Sequence, residues 1–490
     1  MRGRLAAGLA LLAGFLHTAS FSPTELWWLQ PLALALLARV TWAATPKEAA
    51  WRGGLFGFAW LGSGVWWIQV SLHQFGHIPW LLAALAISLL AAFLACYYAA
   101  AMALAAYLRG TSDYRGWPWL IWPACFLGGE LLRAGLMTGF PWIVGGYAHT
   151  VGPLASWAPW IGVYGITALA AALAMALAGL SLQQRWRPAL AIAILIGLGL
   201  LLPQDFTQST GQLRVSLLQP NVPQDQKFDR DLMESNLDRL ATLIESAKGQ
   251  VVLTPESVVP LPLDYLDEGY LLRLQTSAAQ RPLLLGVFIG NERDGYVNSL
   301  VSFGGNAPYD YGKRHLLPFG EFIPPGFHWF VRAMQIPMDD QGRGQHQRSF
   351  TVAGQRLRPL ICYEDLFGED IVDSVNGEAA ATVFFNASNL AWFGTLMVQD
   401  QHLQFSQMRA LEFQRPFVRS TNTGATAVLD HRGRVTARLA PATTGVLEAE
   451  VEGRSGSTPY ARWLQAFGLW PFYAALALLL GFAGWRRRAS

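Results

Sequence analysis

The chain has 490 residues, 52% of them hydrophobic and only 14% charged, where an ordinary soluble domain is about a quarter charged. A formal net charge of +3 with no clustered basic face argues against a nucleic-acid partner. Three cysteines are too few for a disulfide framework. Charge is sparse up to about Leu202, dense from Asp205 to Arg454, and absent from most of a final apolar run. That pattern predicts membrane, soluble domain, membrane.

In chain order, seven stretches reach or approach the roughly 20 apolar residues that a membrane span needs. They cover 5–20, 26–44, 55–72, 79–108, 117–136, 157–182 and 189–202, and an eighth follows the soluble part at 467–485. The expected organisation is a bundle over 1–204, a soluble domain over 212–452 and a last span within 463–486. Short loops rich in Lys and Arg mark the cytoplasmic side. Arg2 and Arg4 precede the first span, and Arg39, Lys47 and Arg52 separate the second from the third. Arg109 and Arg115 follow the fourth, Arg185 and Arg187 the sixth, and Arg486, Arg487 and Arg488 close the chain. The alternate loops at 17–25 and 73–78 carry no Lys or Arg. Both termini are therefore expected in the cytoplasm and the soluble domain on the far side. A cleaved leader is the competing reading of the first segment, and it leaves that sidedness unchanged. Glu130 and Arg133, three residues apart in the fifth span, would share a helix face and pair. Such a pair serves either function or packing.

Between 212 and 452 the pattern changes to short apolar runs alternating with helical ones, the signature of a layered α/β domain. Strands are expected at 213–219, 251–254, 283–289, 297–303, 357–362, 381–386, 417–421 and 425–429. Helices are expected at 231–247, where Leu232, Leu240, Leu243 and Ile244 fall at helical spacing, at 365–375 and at 402–413. The segments 434–440 and 445–451 read as a closing antiparallel pair.

Cys96 and Cys125 fall in apolar spans, which leaves Cys362 as the soluble domain's cysteine. It ends an apolar strand in RPLICYED, and Asp365 is placed to cap a following helix. A thiol there would feel the helix dipole and have its pKa lowered. Glu256 ends another strand in VVLTPES, where a carboxylate can act as a general base. Lys313 opens GKRHLLPFGEFIP, where it can stabilise an oxyanion. Taken singly, each is more often a surface charge or, for the cysteine, an inert buried group. His315 and His402 keep a Cys–His pair open, whereas no G-x-S-x-G elbow is present for a serine nucleophile. No His/Cys/Asp cluster has metal-ligand spacing, so neither a metal nor another cofactor is expected.

The order PES, GKRHLLPFGEFIP, ICYED resembles the signature of the carbon–nitrogen hydrolase, or nitrilase, superfamily. With the flanking spans, and with GFPW at 139–142, SNLAWFG at 388–394, MRALEFQRP at 408–416 and STNTGATAVLD at 420–430, nearly the whole chain resembles the apolipoprotein N-acyltransferase family. The resemblance implies a polytopic α-helical bundle of about eight spans joined to an αββα sandwich facing the periplasm of a bacterial inner membrane. It implies Cys362 as nucleophile, Glu256 as general base and Lys313 as oxyanion stabiliser, supported by Glu321, Tyr363 and Glu364. Phe228, where the family often has tryptophan, Asn298 and Trp392 become substrate contacts. The partners implied are a phospholipid acyl donor, typically phosphatidylethanolamine, and a diacylglyceryl apolipoprotein acceptor. Nothing in the sequence suggests an obligate oligomer. The aromatics Phe319, Phe322, Phe327, Trp329, Phe330, Trp392 and Phe393 would form a lipid-facing rim. A membrane-anchored amidase passing its thioester to water is the alternative, and a binding protein with an inactive nitrilase domain would lack one of the three central residues.

Overall fold

The computed structural model describes residues 3–110, 117–179, 186–291, 293, 295–305, 307–326, 328–329, 340–346 and 348–489. Arg2, Arg115, Arg185, Phe327 and Phe330 lie outside them. The chain divides into two compact units: one holds Met1–His73, His77–Asp205 and Arg462–Ser490, the other Gln74–Gly76 and Phe206–Ala461.

The first unit is helical. Among the described residues, Trp80–Arg109 and Pro153–Gly179 are each long and apolar enough to cross a membrane. Two bent pairs, Pro46–Gly64 with Ile68–Phe75 and Pro459–Phe467 with Trp470–Arg488, bring the number to four if each is one span. Gly3–Thr18, Leu29–Trp42 and Leu190–Leu201 are shorter apolar helices. Sequence chemistry sets the ends: Thr45 and Glu48 form a reciprocal capping box at the start of Pro46–Gly64, with proline in its first turn. Glu130 and Arg133 pair at 2.8 Å and are fully buried. Tyr98 Oη donates to Glu130 at 3.0 Å and accepts from Arg133 Nε at 2.9 Å. Arg133 also donates to the carbonyls of Phe140 and Trp142. The guanidinium is thus held by a carboxylate, a phenol and the 139–142 turn.

The second unit contains two six-stranded sheets. Strands β1 (Thr207–Gln219), β2 (Val251–Leu253), β3 (Leu283–Asn291), β4 (Gly295–Phe303) and β5 (Asp310–Gly312) belong to the first. β6 (Phe350–Val352), β7 (Gln355–Ile361), β8 (Val383–Ser388), β9 (Phe417–Thr421), β10 (Ala427–Leu429) and β11 (Val435–Arg438) form the second, and β12 (Gly445–Gly456) returns to the first. The orders are β12-β1-β2-β3-β4-β5 and β11-β10-β9-β8-β7-β6. Each has a parallel core, β1-β2-β3 or β7-β8-β9, with antiparallel strands outside it. The segments expected to pair with each other do not. β11 pairs with β10 and β12 with β1, because residues 439–444 cross between sheets and each strand closes a different edge.

Helix Arg230–Ser246 is capped by Asp229 and buries Leu240, Ala241 and Ile244. Leu243 packs partly against the same core, whereas Leu232 is left exposed. A further helix, Glu268–Ala278, is capped by Asp267, whose carboxylate accepts from the N–H groups of Gly269 and Tyr270. These two helices cover one face of the first sheet through Leu218, Val252, Leu283, Leu285 and Val287. On the second sheet, helix Val398–Phe413 starts earlier than its apolar pattern suggests and is buried nearly all round. The helix expected at 365–375 is instead a 3₁₀ turn Cys362–Leu366, one α-turn Gly368–Ile371 and a second 3₁₀ turn. Asp365 does not cap it. The carboxylate turns inward to Arg419 at 3.0 Å, Ser406 at 2.6 Å and His402 at 3.2 Å.

Candidate active site

Three strand ends carry the chemistry, at the carboxyl edges where α/β sheets place their sites. Glu256 follows β2, and its backbone is received by Gly286 of β3. A Cβ on Gly286 would stand 2.0 Å from the carbonyl oxygen of Pro255, so only glycine admits that approach. Lys313 follows β5. Its N–H donates to the Asn298 carbonyl on β4 at 2.8 Å, and its own carbonyl accepts from Gly344 at 2.8 Å. A Cβ on Gly344 would lie 2.0 Å from the Gly312 carbonyl oxygen. Cys362 follows β7 with φ of 54°, a left-handed conformation that costs a non-glycine residue about 1–3 kcal/mol. Its carbonyl accepts from Asn386 Nδ2 at 2.7 Å, which helps to hold that turn.

Lys313 Nζ bridges two carboxylates, Glu256 at 2.9 Å and Glu321 at 2.6 Å, and is 1% exposed. Glu256 also accepts from Asn298 Nδ2 at 2.8 Å and from the Asn389 N–H at 2.9 Å. Glu321 accepts from the Leu317 N–H at 2.8 Å. Burial disfavours the ionised forms of both glutamates. For Glu256, Lys313, the Asn389 N–H and Lys227 outweigh burial and hold the carboxyl below its ordinary range. For Glu321, burial and the neighbouring Glu256 outweigh Lys313 and push it up. Burial also pulls Lys313 down, but Glu256, Glu321 and Cys362 together raise it well above a free lysine. Of the two carboxylates, Glu256 is therefore the one whose ionised form is the more favoured.

Cys362 is 9% exposed. Burial, then Glu256 and Glu321, push its thiol well above the ordinary range, against the pull of Lys313 and the Tyr363 N–H. This reverses the lowered pKa expected from a helix start. The turn behind the cysteine is 3₁₀ and not a long α-helix, and desolvation among carboxylates dominates. The two shifts together favour a neutral Cys362 thiol and an ionised Glu256 carboxylate.

The flanking residues form the frame. Glu364 accepts from the Ile361 N–H at 2.7 Å, Tyr311 Oη at 2.7 Å, and the N–H groups of Arg314 and His315 at 2.8 and 3.2 Å. One carboxylate thus ties the Cys362 turn to the Lys313 loop. Tyr363 Oη donates to the Leu316 carbonyl at 2.5 Å, and its ring lies 5.9 Å from Lys313 Nζ. Asn298, expected against substrate, is buried and donates to Glu256. Phe228 and Trp392 are 52% and 37% exposed. Phe319 and Trp329 are exposed as well, and Phe322 is half-buried beneath Arg343. Both histidines expected near the cysteine have other partners. His315 stacks on Phe367 and meets Asp370 at 3.1 Å, while His402 is engaged by Asp365 and Arg419. Sequence reasoning missed Tyr311, Asn386, Asn389 and Lys227, and also the inward Asp365 network. Tyr311 carried a faint signal, two residues before Lys313 on one strand, but hydrogen bonds that cross between chain segments leave no periodicity.

Two facing sheets with Glu256, Lys313 and Cys362 at their strand ends define a protein of the carbon–nitrogen hydrolase class, and the carbon–nitrogen hydrolase family model matches residues 214–460. The apolipoprotein N-acyltransferase N-terminal domain model matches residues 13–176. Curated relatives named apolipoprotein N-acyltransferase include one from Verminephrobacter eiseniae, 44% identical over 94% of this chain and 92% of its own. Another, from Ralstonia nicotianae, is 44% identical over 100% of this chain and 95% of its own. A solved CN-hydrolase superfamily protein from Xanthomonas campestris aligns with a TM-score of 0.38 at 17% identity, over 53% of this chain and 96% of that one. The chain belongs to the apolipoprotein N-acyltransferase family.

Proposed function

We propose that this enzyme transfers an acyl chain from a phospholipid, through a thioester on Cys362, to the α-amino group of an N-terminal diacylglyceryl-cysteine on a lipoprotein. The observation that carries the reading is the bridge of Lys313 between Glu256 and Glu321, in a site that also holds the buried Cys362. Glu256 takes the thiol proton as Sγ attacks the ester carbonyl, and Lys313 meets the developing oxyanion. Collapse breaks the ester bond, and the lysophospholipid alkoxide leaves with the proton from Glu256. The incoming amine then attacks the thioester and loses a proton to Glu256. The amide forms and the thiol is restored with that proton. Two half-reactions through a covalent intermediate give ping-pong kinetics.

Glu321 holds Lys313, Glu364 and Tyr363 fix its loop, and Phe228, Asn298 and Trp392 face or order the substrate side. The exposed aromatics Phe319, Trp329 and Trp392 support a lipid-facing rim, since such side chains settle at a membrane interface. The same reading takes about eight spans in the bacterial inner membrane, with both termini cytoplasmic and residues 212–452 periplasmic. The apolar helices and the alternation of basic loops support it. It takes the protein as a monomer with phosphatidylethanolamine as donor.

The test is intact-mass spectrometry of the detergent-purified protein after incubation with phosphatidylethanolamine. A gain of one acyl chain, labile to hydroxylamine and absent from Cys362→Ala, is expected. A diacylglyceryl peptide should then discharge the adduct onto its amine. Discharge to water at the same rate without peptide would make the protein a hydrolase, and no adduct with any phospholipid would remove the covalent step.

A further inference from the structure

The catalytic centre has an imbalance of charge that Lys313 alone does not correct. Two buried carboxylates, Glu256 and Glu321, share that one ammonium. A buried net charge is costly, and the cheapest relief is for a carboxylate to take up a proton. A protonated Glu256 cannot serve as a base.

A second lysine lies close by. Lys227, on the loop before helix Arg230–Ser246, is 4% exposed, and its Nζ donates to Ser257 Oγ at 2.9 Å. Ser257 is the residue after Glu256. The same loop is fastened on the other side of the base, where Gln224 Oε1 accepts from Asn389 Nδ2 at 2.9 Å. Asn389 in turn donates its N–H to Glu256 Oε2 at 2.9 Å. The loop therefore grips both neighbours of Glu256 and brings a buried cation to it without a direct ion pair. The charged or titratable groups acting on Glu256 include Lys313 after β5, Glu321 on the loop beyond it, Cys362 after β7, and Lys227. Asn298 and the Asn389 N–H add neutral donors.

We propose that Lys227 is a positioning residue of this site, whose buried ammonium supplies the second positive charge that keeps Glu256 ionised while Cys362 gives up its proton. With it, two anions face two cations. Burial lowers Lys227 to about 8, against the pull of Glu256, so it still carries its charge at neutral pH. The inference rests on Glu256 being the base of the proposed reaction.

The experiment compares the full-length wild type with Lys227→Met, Lys227→Gln and Lys227→Arg in detergent. Two rates are followed against pH: acylation of Cys362 by phosphatidylethanolamine, and alkylation of Cys362 by iodoacetamide, located by peptide mapping. Both need Glu256 to accept the thiol proton, and only the first needs a lipid. The acid midpoint of each rate should rise by about one pH unit in the two neutral variants, as expected on losing a nearby opposite charge. It should stay near the wild-type position in Lys227→Arg. A slower rate with an unmoved midpoint would overturn the proposal, as would an equal shift in Lys227→Arg. Failure of both neutral variants to fold, with Lys227→Arg folding normally, would make Lys227 a structural residue and overturn it too. Absence of a lipid adduct on the wild type counts against the acyl-transfer reading alone, because the alkylation profile still reports on Glu256.

Discussion

In the proposed mechanism the buried Cys362 thiol, whose pKa is pushed up by burial and then by Glu256 and Glu321, gives up its proton during the reaction, and Glu256 must be ionised to take it. Glu256→Gln should slow acylation by about 10²–10⁴-fold, the usual contribution of a positioned base, while leaving the protein folded. Lys313→Met should cost about 10²–10³-fold or more, because it removes the oxyanion's partner and leaves two carboxylates facing each other. Single-turnover acylation read by intact mass measures both. The pH dependence follows from the sign of the shift. Glu256 has a lowered pKa in the folded protein, so its active carboxylate persists below the free-glutamate value of about 4.3. Its ionisation also stabilises the fold above that value, and this is lost as pH falls through the lowered folded pKa. Acylation should therefore have its acid limb below pH 4.3 wherever the protein stays folded, and a limb near pH 6 or 7 would contradict this assignment. Glu256, Lys313 and Cys362 were legible as residue types at strand ends. The direction of the thiol's shift was not, since it depends first on tertiary burial and then on carboxylates 41 to 106 residues away in the chain.

The elements that carry these groups owe their precision to contacts few of which are local. The turn Cys362–Leu366 is clamped from behind by Asp365, whose carboxylate meets Arg419 of β9 together with His402 and Ser406 of helix Val398–Phe413. Burial pushes Asp365 up, but His402, Arg419 and Ser406 outweigh it and hold the carboxyl below its ordinary range. Asp365→Ala leaves Arg419 buried without its carboxylate, an error that typically costs about 3–5 kcal/mol. Equilibrium denaturation in detergent should show a loss of that order, and a loss under about 1 kcal/mol would mean the network relaxes or hydrates. Gly286→Ala tests the other side of the site. Its Cβ would overlap the Pro255 carbonyl at 2.0 Å, so β3 or the Glu256 segment must move and acylation should fall sharply. The sequence pattern located most strands because alternation and apolar runs record burial. It misread 434–451 as one hairpin because two antiparallel edge strands look alike whichever sheet they join. It also gave Asp365 to a helix cap, since the spacing that makes a cap is local and the Arg419 that claims the carboxylate is 54 residues away.

For the whole molecule, the proposed topology makes an accessibility prediction. In intact cells with a permeabilised outer membrane, Lys248→Cys, exposed on the soluble unit, should react with a membrane-impermeant maleimide. Arg4→Cys should react only after the inner membrane is opened, and reversed labelling would invert the assigned sidedness. Composition alone decided that this protein has a charge-poor, membrane-like part and a charge-rich α/β part, because the cost of placing charge in hydrocarbon shapes every residue choice there. Local motifs likewise decided which strand ends carry a carboxylate, a lysine and a thiol. The tertiary structure decided what those groups do to one another. It made Lys313 the bridge between two glutamates, turned Glu364 and Asp365 into anchors for the Cys362 turn, and buried Lys227 against Ser257, next to Glu256 in the chain. Those outcomes turn on distances of about 3 Å between segments far apart in the chain. Electrostatics in a low-dielectric interior acts through space, and the order of residues along the chain does not record it.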